Sequence, residues 1–240
     1  PEGGRPLLDK EGDLRLPCGK CTECISKRAL EWALRCKHEI STYDENCFIT
    51  LTYNDDKLNN DELYLPDMQN FLKRLRKQIP QKISYIYSGE YGTITGRPHF
   101  HALIFGWEPS DQTFLKLSPK GEHLFTSKSL DTLWGNGFTS IGSANERTAY
   151  YIAAYALKGK HKTIVNPETG EYTDISDIMR CSTRPAIGLN YLKKNYKQLV
   201  DSGTTLPRYY QKKLEEIDPD YLELYQNQLS DKFKNRGDYE

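Results

Sequence analysis

From Glu23 onward the apolar residues Ile25, Ala29, Trp32, Cys36 and Ile40 recur three or four apart. That spacing predicts an amphipathic helix running to about residue 42. The period then changes, because Cys47-Phe48-Ile49-Thr50-Leu51-Thr52-Tyr53 alternates and is rich in β-formers, as a strand does. Beyond a polar stretch of Asn and Asp, Phe71, Leu72, Leu75 and Ile79 return to helical spacing, with Pro80 as the stop. Ile83 to Tyr91 and His99 to Phe105 read as two strands, and Gly92 and Gly96 between them predict a hairpin. Phe138 to Gly142 is a short strand. Ser143-Ala144-Asn145-Glu146 then has the form of a capping box opening a helix to about Lys158.

The remaining segments carry less pattern. Residues 1 to 17, rich in Gly, Pro and charge, read as an irregular lead-in. Residues 107 to 136 read as an insertion with one short helix near Leu130, and the polar chain beyond Gly159 holds a loop around Asn166 to Gly170 and helical patterns from Leu189 and Arg208. No internal repeat is present. The order β, α, β, β, insertion, β, α suits an α+β fold, an antiparallel sheet with helices packed on it in the split βαβ style. At 240 residues the chain is near the upper size for one domain.

Charge adds little, since Lys plus Arg and Asp plus Glu are both 33. Any contact with nucleic acid has to come from local patches: Lys73, Arg74, Arg76 and Lys77 on the polar face of the second helix, Lys158, Lys160, His161 and Lys162, and Lys193, Lys194 and Lys197. Seventeen Tyr residues are suited to stacking on unpaired bases, and equally to packing on sheet faces. With no long apolar run, signal peptide or lipidation motif, the sequence predicts a soluble, intracellular protein with no membrane partner. It begins at Pro1 rather than Met, which leaves room for residues upstream. Cys18, Cys21 and Cys24 are too close together for a disulfide framework and read as reduced thiols. Their spacing makes them a candidate Zn²⁺ motif, with Cys36, His38 and Cys47 the nearby residues that could complete it.

The most informative stretch is Gly96-Arg97-Pro98-His99-Phe100-His101-Ala102-Leu103. On a strand, residues two apart share a face, so His99 and His101 project together while Phe100 points to the other side. The predicted hairpin brings Glu90 beside His99. Two imidazoles and a carboxylate with coordination positions left open suit a divalent cation such as Mg²⁺ or Mn²⁺ that can polarise a phosphate. On the later helix, Tyr151 and Tyr155 lie one turn apart on one face, with Lys158 nearly a turn further on. A phenol with a pKa of about 10 is a poor nucleophile, but a nearby cation and a polarised phosphate change that. Without the hairpin, the same tyrosines would read as core packing.

The strand Phe48 to Tyr53, the stretch Gly89-Glu90-Tyr91-Gly92, the Gly-Arg-Pro-His-Phe-His block and the Tyr151 to Lys158 helix together resemble the successive motifs of HUH endonucleases. More narrowly, the chain resembles the replication initiators of gokushovirus-type Microviridae. Pro17 to Cys24 and Ser182-Thr183-Arg184-Pro185-Ala186-Ile187-Gly188 also look like segments of that family, and the likeness covers most of residues 17 to 195.

The resemblance implies that Glu90, His99 and His101 bind the metal and that Tyr151 and Tyr155 form the two-tyrosine pattern. Tyr155 with Lys158 also fits the Tyr-x-x-Lys form of one-tyrosine relatives, which makes Tyr155 the expected initiating residue. A basic residue common before the second tyrosine is replaced here by Ala154. Thr50, Thr52 and Arg97 within these motifs, with Lys73, Arg74, Arg76 and Lys77, are the expected DNA contacts. One domain is expected, with the Cys motif and first helix over 1–46, a catalytic core over 47–160 and a helical extension over 161–240.

The implied activity is rolling-circle initiation. A tyrosine oxygen nicks single-stranded DNA at the viral origin, keeps the 5′ phosphate as a phosphotyrosyl ester and leaves a 3′-OH for a host polymerase working with a host helicase in the bacterial cytoplasm. Rejoining reverses the step. The alternatives are a relaxase or transposase of the same class, and a non-catalytic nucleic-acid-binding module held together by zinc.

Overall fold

The computed structural model describes residues 17–19, 21–58, 62–92, 96–158, 161–165, 172–176 and 178–237, with backbone only for 155–158, 161–165, 172–176 and 232–237. The 1–16 lead-in and the 166–170 loop lie outside the described residues. In chain order the elements are α1 (Thr22–Ile40), β1 (Asn46–Thr52), α2 (Leu65–Gln78), β2 (Ser84–Tyr91), β3 (Pro98–Phe105), β4 (Thr113–Leu117), β5 (His123–Thr126), α3 (Lys128–Trp134), β6 (Thr139–Ser143) and α4 (Glu146–Lys158). They are followed by β7 (His161–Val165), β8 (Tyr172–Ser176), β9 (Ile178–Cys181), α5 (Leu189–Asp201), α6 (Arg208–Ile217) and α7 (Pro219–Gly237).

Seven strands form one antiparallel sheet in the order β4-β5-β6-β1-β3-β2-β9. The predicted α+β fold is therefore the observed one. Alternation along the central strands sends side chains to two layers. On one face Ile49, Leu51, Phe100, Ala102 and Ile104 pack with Met68, Phe71, Leu72 and Leu75 of α2 and Leu130, Leu133 and Trp134 of α3. On the other, Leu103 and Phe105 meet Ala33 and Cys36 of α1 and Ala149 and Ile152 of α4. The α1 and α4 helices pack through Ala29, Ala153 and Ala154 near one end, and a Lys37–Glu146 ion pair at 3.1 Å marks the other. They thus run antiparallel, so the start of α1 points toward the C-terminal end of α4.

Three expectations need correction. The segment 107–136 is not an irregular insertion, because β4 and β5 form a hairpin that extends the sheet through the pairing of Phe125 with Ile141. Every residue of β4 is exposed, and with no layer packed over it the apolar alternation that marks a strand is absent. The capping box of α4 is also displaced by two residues: the Thr148 amide donates to Asn145 Oδ1 and the Asn145 amide donates to Thr148 Oγ1, both at 3.0 Å. Finally, residues 161–240 are not helical throughout. β7 and β8 form a two-stranded ribbon, and β9 joins the sheet edge at β2.

The C-terminal helices α5, α6 and α7 share a core of Leu192, Val200, Leu206, Tyr210, Leu214 and Tyr225. Polar side chains of α1 fasten it to the rest. The Glu39 carboxylate accepts the Gly188 amide at 2.7 Å, Arg35 Nε donates to the Ile187 carbonyl at 3.1 Å, and the Arg35 guanidinium lies between the Trp32 and Tyr209 rings. Gly188 has a φ of +78°, and a Cβ there would collide with the Tyr210 hydroxyl. Only glycine fits that turn.

His38 stacks on Tyr191 with ring centroids 4.1 Å apart and places Nδ1 3.0 Å from the Tyr210 hydroxyl. Burial, aided by the neighbouring Lys37 charge, pushes His38 down to about 4. The unfolded chain, with an ordinary imidazole near pH 6.5, binds more protons than the folded one between those two values. Stability is therefore expected to fall as pH drops from about 6.5 toward 4. Urea unfolding midpoints across that range test this, and His38→Gln should flatten the slope.

Candidate active site

The β2–β3 register pairs Glu90 with His99 and Ser88 with His101, and β1 sets Thr50 opposite His101 from the other side. The turn closes by a Gly92 amide to Arg97 carbonyl bond and a Gly96 amide to Gly92 carbonyl bond, both 2.9 Å. One ligand atom from each of Glu90, His99 and His101 lies within 4.8 Å of the others. The hairpin thus assembles the three groups expected from the sequence. Glu90 and His101 are buried, on the layer shared with α1 and α4.

Hydrogen bonds orient each imidazole. His99 Nδ1 donates to the Arg97 carbonyl at 3.1 Å, and His101 Nδ1 lies 2.9 Å from Thr50 Oγ1. With each Nδ1 so engaged, the Nε2 atoms are the nitrogens left for a metal, as in metal-ligating histidines. Ser88 Oγ donates to Glu90 Oε1 at 3.3 Å, and the Phe48 ring stacks on His101 with centroids 5.4 Å apart. Burial lowers the pKa of His99; burial, with His99 alongside, pushes His101 down to about 3. Both rings are neutral at pH 7. The 3.6 Å approach of His101 Nε2 to Glu90 Oε1 is consequently not an ion pair there.

α4 brings the tyrosines. The Tyr151 hydroxyl lies 3.4 Å from His101 Nε2, and its ring stands edge-on to both His101 and Phe48. Tyr155 and Lys158 occupy the last turn of the same helix, and their side chains lie outside the described residues.

The residues read as DNA contacts are distributed differently. Thr50 faces His101. Thr52 Oγ1 donates to the Phe138 carbonyl at 2.9 Å, and Arg97 pairs with Asp55 at 2.6 Å while donating to the Tyr53 carbonyl at 2.7 Å. The basic run of α2 sits on the opposite layer of the sheet from the triad. There Arg74 donates to the Leu133 and Trp134 carbonyls at the end of α3, and Arg76 lies over the Tyr85 ring. Lys73 and Lys77 are exposed. Ser88 and Phe48 join the site without a chemical mark of their own in the sequence, although each lies two residues from Glu90 or Thr50 and so shares its face.

Cys18, Cys21 and Cys24 are also gathered, their sulfurs within 4.8 Å of one another. The nearby residues proposed to complete that set are committed elsewhere: Cys36 and Cys47 lie in the two sheet cores and His38 is stacked on Tyr191. Among the described residues no helix is long and apolar enough to cross a membrane.

Thr50→Val removes the oxygen at His101 Nδ1 and keeps the shape. By the usual effect of such partners it should weaken divalent-ion affinity by about 10- to 100-fold. Isothermal titration with Mn²⁺ checks this, and unchanged affinity would make Thr50 a packing residue.

Residues 46–160, which run from β1 past the end of α4, match the family described as Replication-associated protein ORF2. The chain is 34% identical over 212 residues to Replication-associated protein VP4 of Bdellovibrio phage phiMH2K, covering 81% of this chain and 66% of that protein. It is 28% identical over 239 residues to Replication-associated protein ORF4 of Chlamydia phage 1, covering 92% of this chain and 59% of the relative. To Replication-associated protein ORF2 of Spiroplasma virus 4 it is 30% identical over 222 residues, covering 83% and 68%. It thus spans roughly three fifths to two thirds of the length of these relatives. No solved structure matches it. The matched segment contains the triad and the tyrosine helix, and the chain belongs to the family of phage replication-associated proteins.

Proposed function

We propose that the protein initiates rolling-circle replication of a small single-stranded DNA phage by nicking and rejoining origin DNA through a tyrosyl ester. The observation that carries this reading is the Tyr151 hydroxyl 3.4 Å from His101 Nε2, at the edge of the Glu90, His99 and His101 cluster. The Tyr151 ring packs at the edge of the core shared with α1, while its hydroxyl turns to the neutral His101 imidazole. A phenol so placed beside a candidate metal cluster has the parts for phosphoryl transfer.

The donor set fits a hard or borderline divalent cation such as Mg²⁺ or Mn²⁺, since it offers two Nε2 lone pairs and a carboxylate held by Ser88. Bound there, the ion supplies Lewis acidity to a phosphate oxygen. The chain's own groups do the rest. Thr50 and the Arg97 carbonyl hold the imidazoles in one orientation, Phe48 fixes the ring planes, and α4 presents the phenol. In the reaction the tyrosine Oη–P bond forms, the P–O3′ bond breaks, and the phenol proton is in balance passed to the departing 3′ oxygen. No water enters, so the ester keeps the 5′ end competent for rejoining. The tyrosine not esterified, Tyr155 one turn from Tyr151, serves the second transfer.

On this reading the partners are single-stranded origin DNA and, in the bacterial cytoplasm, the host polymerase and helicase that extend from the 3′-OH. Exposed Lys73 and Lys77 with Arg76 are available for phosphates of DNA that wraps beyond the site. Incubating the protein with origin-containing single-stranded DNA and Mg²⁺ should yield a 3′-OH fragment and a covalent protein–DNA species. Binding without cleavage would favour the non-catalytic module instead.

A further inference from the structure

The function proposed above makes no use of the three thiols at the start of α1. Cys18, Cys21 and Cys24 bring their sulfurs within 4.8 Å of each other, with Cys18 Sγ and Cys24 Sγ 3.9 Å apart. That is far beyond a disulfide bond of about 2.05 Å. It does agree with a tetrahedral zinc site, where Zn–S bonds of about 2.3 Å set sulfurs about 3.8 Å apart. The local backbone is shaped for the same purpose. Gly19 turns at φ +74° with open space where a Cβ would stand, and the Cys21 amide donates to Cys18 Sγ at 3.2 Å. An amide donated to a sulfur stabilises it as a thiolate, the form that binds metal. Cys24 then enters from the first turn of α1, one helical turn beyond Cys21.

We propose that Cys18, Cys21 and Cys24 bind one structural Zn²⁺ as thiolates. The fourth position is left to an oxygen or nitrogen donor, because Cys36, Cys47, Cys181 and His38 are held in other parts of the fold. Soft sulfur ligands select zinc over the hard cation suited to Glu90, His99 and His101, so the two sites take different ions. α1 runs antiparallel to α4, and the zinc loop therefore stands at the end of α1 directed toward the last turn of the tyrosine helix. Binding releases the thiol protons and stabilises the folded start of α1.

Elemental analysis of the purified chain should give about one zinc per molecule. The zinc should persist in the His99→Ala/His101→Ala variant and be lost from Cys18→Ser/Cys21→Ser. Cobalt exchanged into wild-type protein should show thiolate charge-transfer absorption and visible bands of a tetrahedral ion, and zinc should protect three thiols from alkylation until a chelator is added. Since the cysteine variant could misfold, the cobalt spectrum and the alkylation protection are read on the unmutated chain. Zinc lost with the histidines, no thiolate absorption with cobalt, or iron in place of zinc would each overturn the proposal.

Discussion

Replacing His99 and His101 together by alanine is expected to abolish nicking while leaving the fold in place. The two imidazoles point into the cluster rather than into the core that Phe100, Ala102 and Ile104 build on the opposite face, so their loss empties the site without opening the sheet. A bound cation of this kind contributes several kcal/mol to stabilising a charged phosphoryl transition state. Removing it corresponds to a rate loss of about 10³-fold or more. Circular dichroism and the melting temperature report the fold, and a gel assay of labelled origin DNA reports nicking. Full activity in the double variant, or activity untouched by excess chelator, would take the metal out of the mechanism.

The second large effect concerns the tyrosines. Phenylalanine preserves ring packing and deletes only the oxygen. If Tyr151 and Tyr155 are used in turn, each single Phe variant should still form some covalent adduct and the double variant none. The sequence favours Tyr155 as initiator because Lys158 follows it. The position of the Tyr151 hydroxyl beside His101 supports the reverse order, so Tyr151→Phe should lose more of the first cleavage and Tyr155→Phe more of the circular rejoined product. Wild-type nicking and rejoining in Tyr151→Phe would reduce it to a packing residue. An adduct surviving in the double variant would direct attention to Tyr150.

Where a layer packs over an element, the sequence is readable. β1 and α2 carry a clean period because one face of each is covered, β3 reads as a nearly continuous apolar run because both its faces are, and the His-x-His spacing, with a hairpin of definite register, is enough to seat Glu90 against His99. The β4–β5 hairpin escapes notice for the opposite reason: at the sheet edge, Phe114, Leu115 and Leu117 remain exposed, so apolar positions there do not mark a buried face. β9 is four residues long and finds its place by pairing with β2, a long-range contact that no local pattern announces.

The site shows the same division. The residue types that do chemistry are visible in the sequence, while the groups that orient them are not, since Ser88 and Phe48 owe their roles to which strand lies alongside. Arg97 and Arg74 have internal partners that charge alone does not reveal, because the acceptors come from distant turns. Arg97 meets Asp55 and the Tyr53 carbonyl, and Arg74 the carbonyls that end α3.

The central claim is that a tyrosine of α4 becomes esterified to the 5′ phosphate at the origin. Mass spectrometry of the protease-digested covalent complex, formed with single-stranded origin DNA and Mg²⁺ and trimmed with nuclease, locates the nucleotide directly. The account predicts a nucleotidyl group on Tyr151 or Tyr155 in the peptide spanning residues 148–158. A nucleotide on a residue elsewhere in the chain, or cleavage that leaves no protein-linked nucleotide, would contradict it.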